Sequence, residues 1–262
     1  MGSIAYKARG EGSAIVFLHG VGGGAESWDA QLCAFGESRF ALAWDMPGYG
    51  ASRPLPAPDF AGWSQALAGW LDSLSIESCV LVGHSIGGMI AQTFMKTHAH
   101  RVSRLVLSAT SPAFGSPDGE FQQNFVRSRI GPLDEGATMA ELAARFVPEL
   151  LGKAAPEAAR RAAVSVMSRV PDVTYRAAMQ ALVRFDARAS LGDIAVPTLL
   201  IAGGDDNAAP PRVMERMAEK MPNARIVTVP GMGHLGNIEM PQTYNEIVSS
   251  FLAETDGAAD ST

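Results

Sequence analysis

The sequence predicts an α/β architecture, a mostly parallel sheet flanked by helices, with a helical cap inserted into it. Three observations predict it. Short apolar runs alternate with longer amphipathic segments. Glycine-containing turns follow several of those runs. The strand rhythm stops after Ser111 and resumes only beyond Asp193.

The elements follow in order. There is room for one strand before Ala14. Ala14-Ile15-Val16-Phe17-Leu18 reads as a buried strand ending at His19-Gly20, and Phe40-Ala41-Leu42-Ala43-Trp44 as another, leading into Asp45 and the turn Met46-Pro47-Gly48-Tyr49-Gly50. A helix over 60–74 carries Trp63, Leu67, Trp70 and Leu71 at helical spacing. Strands are expected over 79–82, 102–107, 197–202 and 225–229, and helices over 86–97, 211–221 (with proline near its start) and 241–252. The stretch 112–193 is rich in Ala, Arg and Glu, with helical periodicity in 139–146 and 154–167. The expected organisation is a core of residues 1–111 and 194–254, a helical cap of 112–193, and a small polar tail of 255–262, flexible by composition.

Bulk properties narrow the function. The chain has 262 residues, 47% of them hydrophobic and 18% charged, enough for a sizeable core. A net charge of -6 and the lack of a Lys/Arg stripe argue against a nucleic-acid partner. Cys33 and Cys79 stand in no Cys/His cluster, so no metal site is expected, and Cys79 opens an apolar run as a buried thiol would. The first residues lack the apolar core of a signal peptide, and Tyr6 breaks a myristoylation pattern. No apolar stretch approaches the ~18 residues that span a bilayer. A cytoplasmic protein without a membrane partner is expected.

The sharpest local signal is Gly83-His84-Ser85-Ile86-Gly87, set between an apolar strand and a helical run. Such a strand-turn-helix is tight enough to strain the serine backbone and lift its hydroxyl clear of the sheet, while the flanking glycines avoid collision. Serine needs a base to take its proton. Of the five histidines, His84 is expected to point away from the serine hydroxyl, His98 and His100 close the following helix, and His19 ends a strand. His234 lies in a glycine-flanked loop after the last strand, where parallel sheets place their sites. A carboxylate must orient that imidazole, and the loop after the strand at 197–202 offers Asp205 and Asp206. Asp186 is read as a structural hydrogen-bonding residue. Charge developing on a carbonyl oxygen needs preformed donors. Ile86 N–H is one candidate, and the loop His19-Gly20-Val21-Gly22-Gly23-Gly24 supplies the other, Val21 N–H ahead of Gly22. Trp28, Phe114, Phe121, Phe125, Met139 and Phe146 are candidate pocket-lining groups, with plain core packing as the competing account of each.

Taken together, His19-Gly20, Asp45-Met46-Pro47-Gly48-Tyr49-Gly50-Ala51-Ser52, Gly83 to Gly88 and Gly231-Met232-Gly233-His234 occur in an order that resembles the α/β-hydrolase superfamily from about Ile4 to Leu252. The resemblance implies the chain order Ser85, acid, His234. Its common G-x-x-D-x-x-x-P loop favours Asp206, four before Pro210, over Asp205. Asp45 and its turn would support the site without doing chemistry. His234-Leu235-Gly236-Asn237-Ile238-Glu239-Met240-Pro241 and the Ser-Ile-Gly-Gly-Met-Ile run are similar to the 3-oxoadipate enol-lactonase and small-ester hydrolase branch. Those enzymes carry Asn-Ser where this chain has His19-Gly20, and Leu-Ser-Leu-Gly-Gly where it has His84-Ser85-Ile86-Gly87-Gly88. The resemblance implies hydrolysis of a small ester or lactone through an acyl-enzyme, without a cofactor. A carbon–carbon bond hydrolase of the meta-cleavage type and a perhydrolase remain alternatives, as does a non-catalytic small-molecule receptor. Ser85 argues against the dehalogenases and epoxide hydrolases of this fold, which carry Asp there.

Overall fold

The computed structural model describes residues 3–114 and 119–259. Its strands and helices run β1 (Tyr6–Arg9), β2 (Ala14–Leu18), α1 (Asp29–Phe35), β3 (Phe40–Trp44), α2 (Phe60–Ser73), β4 (Cys79–His84), α3 (Ile86–His98), β5 (Val102–Ser108), α4 (Glu120–Asp134), α5 (Met139–Leu150), α6 (Glu157–Met167), α7 (Asp172–Leu182), β6 (Thr198–Gly203), α8 (Pro211–Ala218), β7 (Ala224–Val229), α9 (Gly236–Glu239) and α10 (Pro241–Ala259). The strands form a single seven-stranded sheet in the order β1-β3-β2-β4-β5-β6-β7. Only β1 runs antiparallel, pairing with β3 from Tyr6 opposite Trp44 to Arg9 opposite Ala41.

The interior strands are continuously apolar because both faces of the sheet are covered. On one face Val16, Leu18, Leu42, Leu81, Leu105, Leu107 and Leu200 pack beneath Trp63 and Leu67 of α2, Ile90 and Phe94 of α3 and Met214 of α8. On the other, Ile15, Phe17, Val80, Val82, Val106 and Ile201 meet Leu32 and Phe35 of α1 and Tyr244, Val248 and Phe251 of α10. Successive residues of each strand point to opposite faces, so every residue of β2 and β4 is buried. The edge strand β1, with sequence Tyr-Lys-Ala-Arg, is exposed along its whole length. Its charges discourage further strand addition.

Four helices, α4 to α7, stand between β5 and β6. The first turn of α5 is fixed by a capping box: Glu141 N–H donates to Thr138 Oγ1 (3.2 Å), and Thr138 N–H to Glu141 Oε2 (2.8 Å). Residues 115–118, within the expected cap, lie outside the described residues.

The expected flexible tail is corrected in part. Helix α10 continues past Leu252 to Ala259. Thr255 stands inside it, its Oγ1 accepting from Arg104 Nε and its carbonyl from Arg104 Nη2 on β5. That anchor extends the helix over residues whose composition alone suggested fraying. Residues 260–262 lie outside the described residues.

The loops after β2 to β7 all leave from the carboxyl edge of the sheet, and those after β2, β4, β6 and β7 carry Val21, Ser85, Asp206 and His234. This edge, where the chain order reverses around β2 and β4, is where open α/β sheets bind their ligands.

Candidate active site

The β4–α3 turn is built by steric necessity. Ser85 sits at φ 54° and ψ -120°, a left-handed backbone in a residue with a Cβ. Such a conformation costs on the order of 1–3 kcal/mol and persists only when its surroundings enforce it. Here Ser85 N–H donates to Ser108 O (3.0 Å), while Ser85 O accepts from Thr110 Oγ1 (2.8 Å) and from Gly88 N–H (2.9 Å). A Cβ on Gly83 would lie 2.6 Å from Gly87 O, and one on Gly87 only 2.3 Å from Leu18 O. Glycine at both positions lets strand, turn and helix close around the serine.

His234 follows β7 and is buried. Its Nδ1 lies 2.8 Å from Asp206 Oδ2. The other oxygen of Asp206 accepts from the N–H groups of Ala208 (2.7 Å) and Ala209 (2.9 Å). Burial pushes the Asp206 carboxyl up, but the His234 ring and those two amides outweigh it, and the group lies below the usual carboxylate range. Asp205 is turned elsewhere: its Oδ2 accepts from Lys153 N–H (3.3 Å) and its own N–H donates to Met232 O.

His84 corrects an expectation. Its ring does not leave the site; it lines the same cavity as Ser85, 5.0 Å from the His234 ring, and its Nε2 donates to His234 O at 2.8 Å. Burial, assisted by the neighbouring His234, pushes its pKa down to about 3. The ring is therefore a neutral donor. His19 is a second neutral histidine, lowered chiefly by burial. It donates from Nδ1 to Gly20 O (2.8 Å) and accepts Met46 N–H at Nε2 (3.0 Å), fixing the Gly20–Gly24 loop against the turn after β3. Asp45 holds the same loop from below, its Oδ1 accepting Ala25 N–H (2.8 Å). Asp186 binds Arg188 through backbone and guanidinium, a local structural role.

Glu239 carries no role in the sequence analysis, yet it organises the His234 loop. It is buried, its Oε2 accepts Gly152 N–H (2.7 Å) and Gly233 N–H (3.1 Å), and its Oε1 accepts Leu235 N–H (2.9 Å). Burial raises its pKa against those three donors. His234 N–H in turn donates to Leu150 O at 2.7 Å, so the chain at the end of α5 is tied to the histidine loop directly and, two residues on, through the Glu239 carboxylate. One of the donors to Glu239, Gly152, lies 87 residues away in the chain, so no local pattern signalled the role.

These groups face a cavity of about 550 Å³. Ser85, His234, Val21, Gly22 and Trp28 line it from the sheet side, and Phe114, Phe121, Phe125 and Phe146 from the other. Phe121 is 66% exposed, so it contributes at the rim. Met139 is a correction: it is buried in the core and does not reach the cavity. It opens α5 two turns before Phe146, roughly 10 Å away along the axis, while Phe146 and Val147 supply the cavity contact. The Ile86 side chain is likewise buried in the core, leaving only its backbone near the turn. Among the described residues no cluster of His, Cys, Asp and Glu could hold a metal ion, and no helix is long and apolar enough to cross a membrane.

A model of the alpha/beta hydrolase family matches residues 15–247. The chain belongs to the α/β-hydrolase family. Within it, the chain is 29% identical over 257 residues to a protein of Azorhizobium caulinodans named as a carbamate hydrolase, covering 96% of this chain and 95% of that one. It is 30% identical over 238 residues to the pimeloyl-[acyl-carrier protein] methyl ester esterase of Aromatoleum aromaticum, covering 87% and 93%. Among solved structures, the enol-lactonase from Burkholderia xenovorans LB400 superimposes with a TM-score of 0.86 at 24% identity, covering 96% and 97%, a likeness of fold. This hydrolase thus has relatives named for carbamate and for methyl ester hydrolysis.

Two outcomes follow from the loop architecture. Glu239→Ala leaves three backbone N–H groups without their acceptor and is expected to destabilise the fold by about 3 kcal/mol, read as a lowered urea midpoint; an unchanged midpoint would show that water replaces the carboxylate. The depressed pKa of His84 makes its contribution to stability full above the unfolded value of 6.5 and progressively lost as pH falls towards about 3. Between pH 6.5 and 4.5, above the range where Asp206 titrates, this amounts to about 2 kcal/mol. His84→Gln should flatten the stability profile in that window.

Proposed function

We propose that the chain is a serine hydrolase that cleaves a small carboxylic ester or lactone through an acyl-enzyme. The observation that carries this reading is the buried Asp206–His234 hydrogen bond opening onto the same cavity as the strained Ser85. Ser85 Oγ attacks the substrate carbonyl as His234 Nε2 takes its proton. Asp206 holds the ring through Nδ1 and balances the imidazolium that forms. The oxygen of the tetrahedral intermediate is met by the N–H groups of Val21 and Ile86. The first belongs to the His19-anchored loop on the cavity wall. The second opens α3, where backbone N–H groups have no partner within the helix. Collapse returns the proton from His234 to the leaving oxygen. A water molecule activated by the same imidazole then releases the acid.

Residues 112–193 act as the cap in this reading, closing the cavity over the acyl group, with Gly22, Trp28, Phe114, Phe121, Phe125 and Phe146 in contact with substrate. The relatives named for ester, carbamate and lactone hydrolysis all break a bond at a carbonyl carbon, which one such site can serve. No cofactor is called for. The free thiols of Cys33 and Cys79 suit a reducing cytoplasm.

A fluorophosphonate probe and a panel of p-nitrophenyl esters and lactones test the reading. Ser85→Ala is expected to abolish labelling and to lower kcat by on the order of 10⁴-fold or more. Asp206→Asn should lower kcat by roughly 10⁴-fold through loss of the correct tautomer, while Asp205→Asn stays near wild type. Full activity in Ser85→Ala, or the reverse ranking of the two aspartates, would overturn the assignment. Labelled protein that releases no more than one equivalent of product would indicate a receptor.

A further inference from the structure

The cavity wall carries a charge that ester hydrolysis does not use. Among its described lining residues only Arg129 and Glu149 have charged side chains other than histidine. Around them the wall is apolar, with Phe125, Phe146, Met179 and Leu182 on the helical side. The Arg129 guanidinium lies over the Phe146 ring, 4.0 Å from its centroid, and within 5.6 Å of the Phe125 ring. Among the described residues its carboxylate contact is a single one, Nη1 to Glu149 Oε2 at 3.3 Å. The Arg129 side chain is 21% exposed and that of Glu149 is 54% exposed, so the cation is held in the wall while its partner stands largely in water.

A guanidinium has five donors in a fork suited to carboxylate, and one long contact leaves most of that capacity unused. Tyr175 lines the same cavity and lies near enough for the charge of Arg129 to oppose the burial that raises the phenol to about 12. Its hydroxyl remains a neutral donor on the same cavity wall. A wall meant only for an alkyl chain would gain nothing from a desolvated guanidinium, because burying polar donors without acceptors costs free energy.

Building on the ester-hydrolase reading, we propose that Arg129, with Tyr175 on the same cavity wall, recognises a second carboxylate on the substrate, so that the preferred substrate is a half-ester. Glu149 occupies the guanidinium while the cavity is empty of substrate and yields it to the incoming anion.

The test compares kcat/KM for a monomethyl half-ester of a straight-chain dicarboxylic acid with that for the neutral dimethyl diester, in wild type, Arg129→Gln and Glu149→Gln. Wild type should prefer the half-ester. Arg129→Gln should lower the half-ester value by about tenfold to a hundredfold and leave the diester within about threefold. Glu149→Gln removes the competing carboxylate, so it should raise the half-ester value and leave the diester alone. Opposite responses of these two variants are what a merely structural ion pair would not give. Equal losses on both substrates, no half-ester preference in wild type, or a fall in both variants overturns the proposal. If a fluorophosphonate leaves Ser85 unlabelled and neither ester is cleaved, the hydrolase reading fails instead, and half-ester binding to wild type against Arg129→Gln by calorimetry still decides the anion site.

Discussion

An imidazole placed beyond the end of a strand has no regular secondary structure to hold it, and the rest of the site depends on how this one is held. The ring of His234 is fixed from behind by Asp206, its carbonyl by His84 and its N–H by Leu150, while Glu239 gathers the amides on either side of it. Each bond comes from a different segment of chain. The loop is short and glycine-flanked, yet it is over-determined, and that is what a general base needs: a small error in its direction matters more than a small error in its pKa.

The electrostatics are organised around the same ring. Three histidines are buried near one another, and two of them, His19 and His84, are kept neutral by burial. Asp206 is held ionised beside the third. A proton reaching His234 therefore meets an anion on one side and no competing cation from the neighbouring rings. His19 uses both ring nitrogens on backbone, and His84 gives its Nε2 hydrogen to the carbonyl of His234. Their work is to place the two loops that bracket Ser85.

Much of this was legible in the sequence, because the signals were local. The apolar runs at Ala14, Cys79 and Thr198 are buried on both faces and could hardly be anything but interior strands. The glycines around Ser85 announce a turn that no larger residue fits. The family resemblance, whose loop motif sets the acid four before a proline, favoured Asp206 over Asp205, and the hydrogen bond to His234 falls on Asp206. What escaped was long-range. The direction of His84 depends on a carbonyl 150 residues away in the chain. Met139 and Phe146 share one amphipathic stripe, and only the packing of α5 decides which end meets the cavity. Glu239 was given no role, since nothing nearby in sequence reveals that Gly152 will donate to it. The helical reach of Thr255 likewise rests on Arg104, far away on β5.

The double seam between α5 and the histidine loop constrains how this molecule can be altered. Elsewhere between β5 and β6, side chains such as Thr174 on Gly48 and Arg169 on Glu26 make the contact, and side chains tolerate exchange. At Leu150 and Gly152 the backbone itself takes part, Leu150 O accepting from His234 N–H and Gly152 N–H donating to the Glu239 carboxylate, and a Cβ on Gly152 would lie 2.1 Å from Gly231 O. A chimera carrying foreign helices would have to keep that short stretch of native chain, or the borrowed segment would bring new walls to the chamber and misplace the proton acceptor in the same stroke.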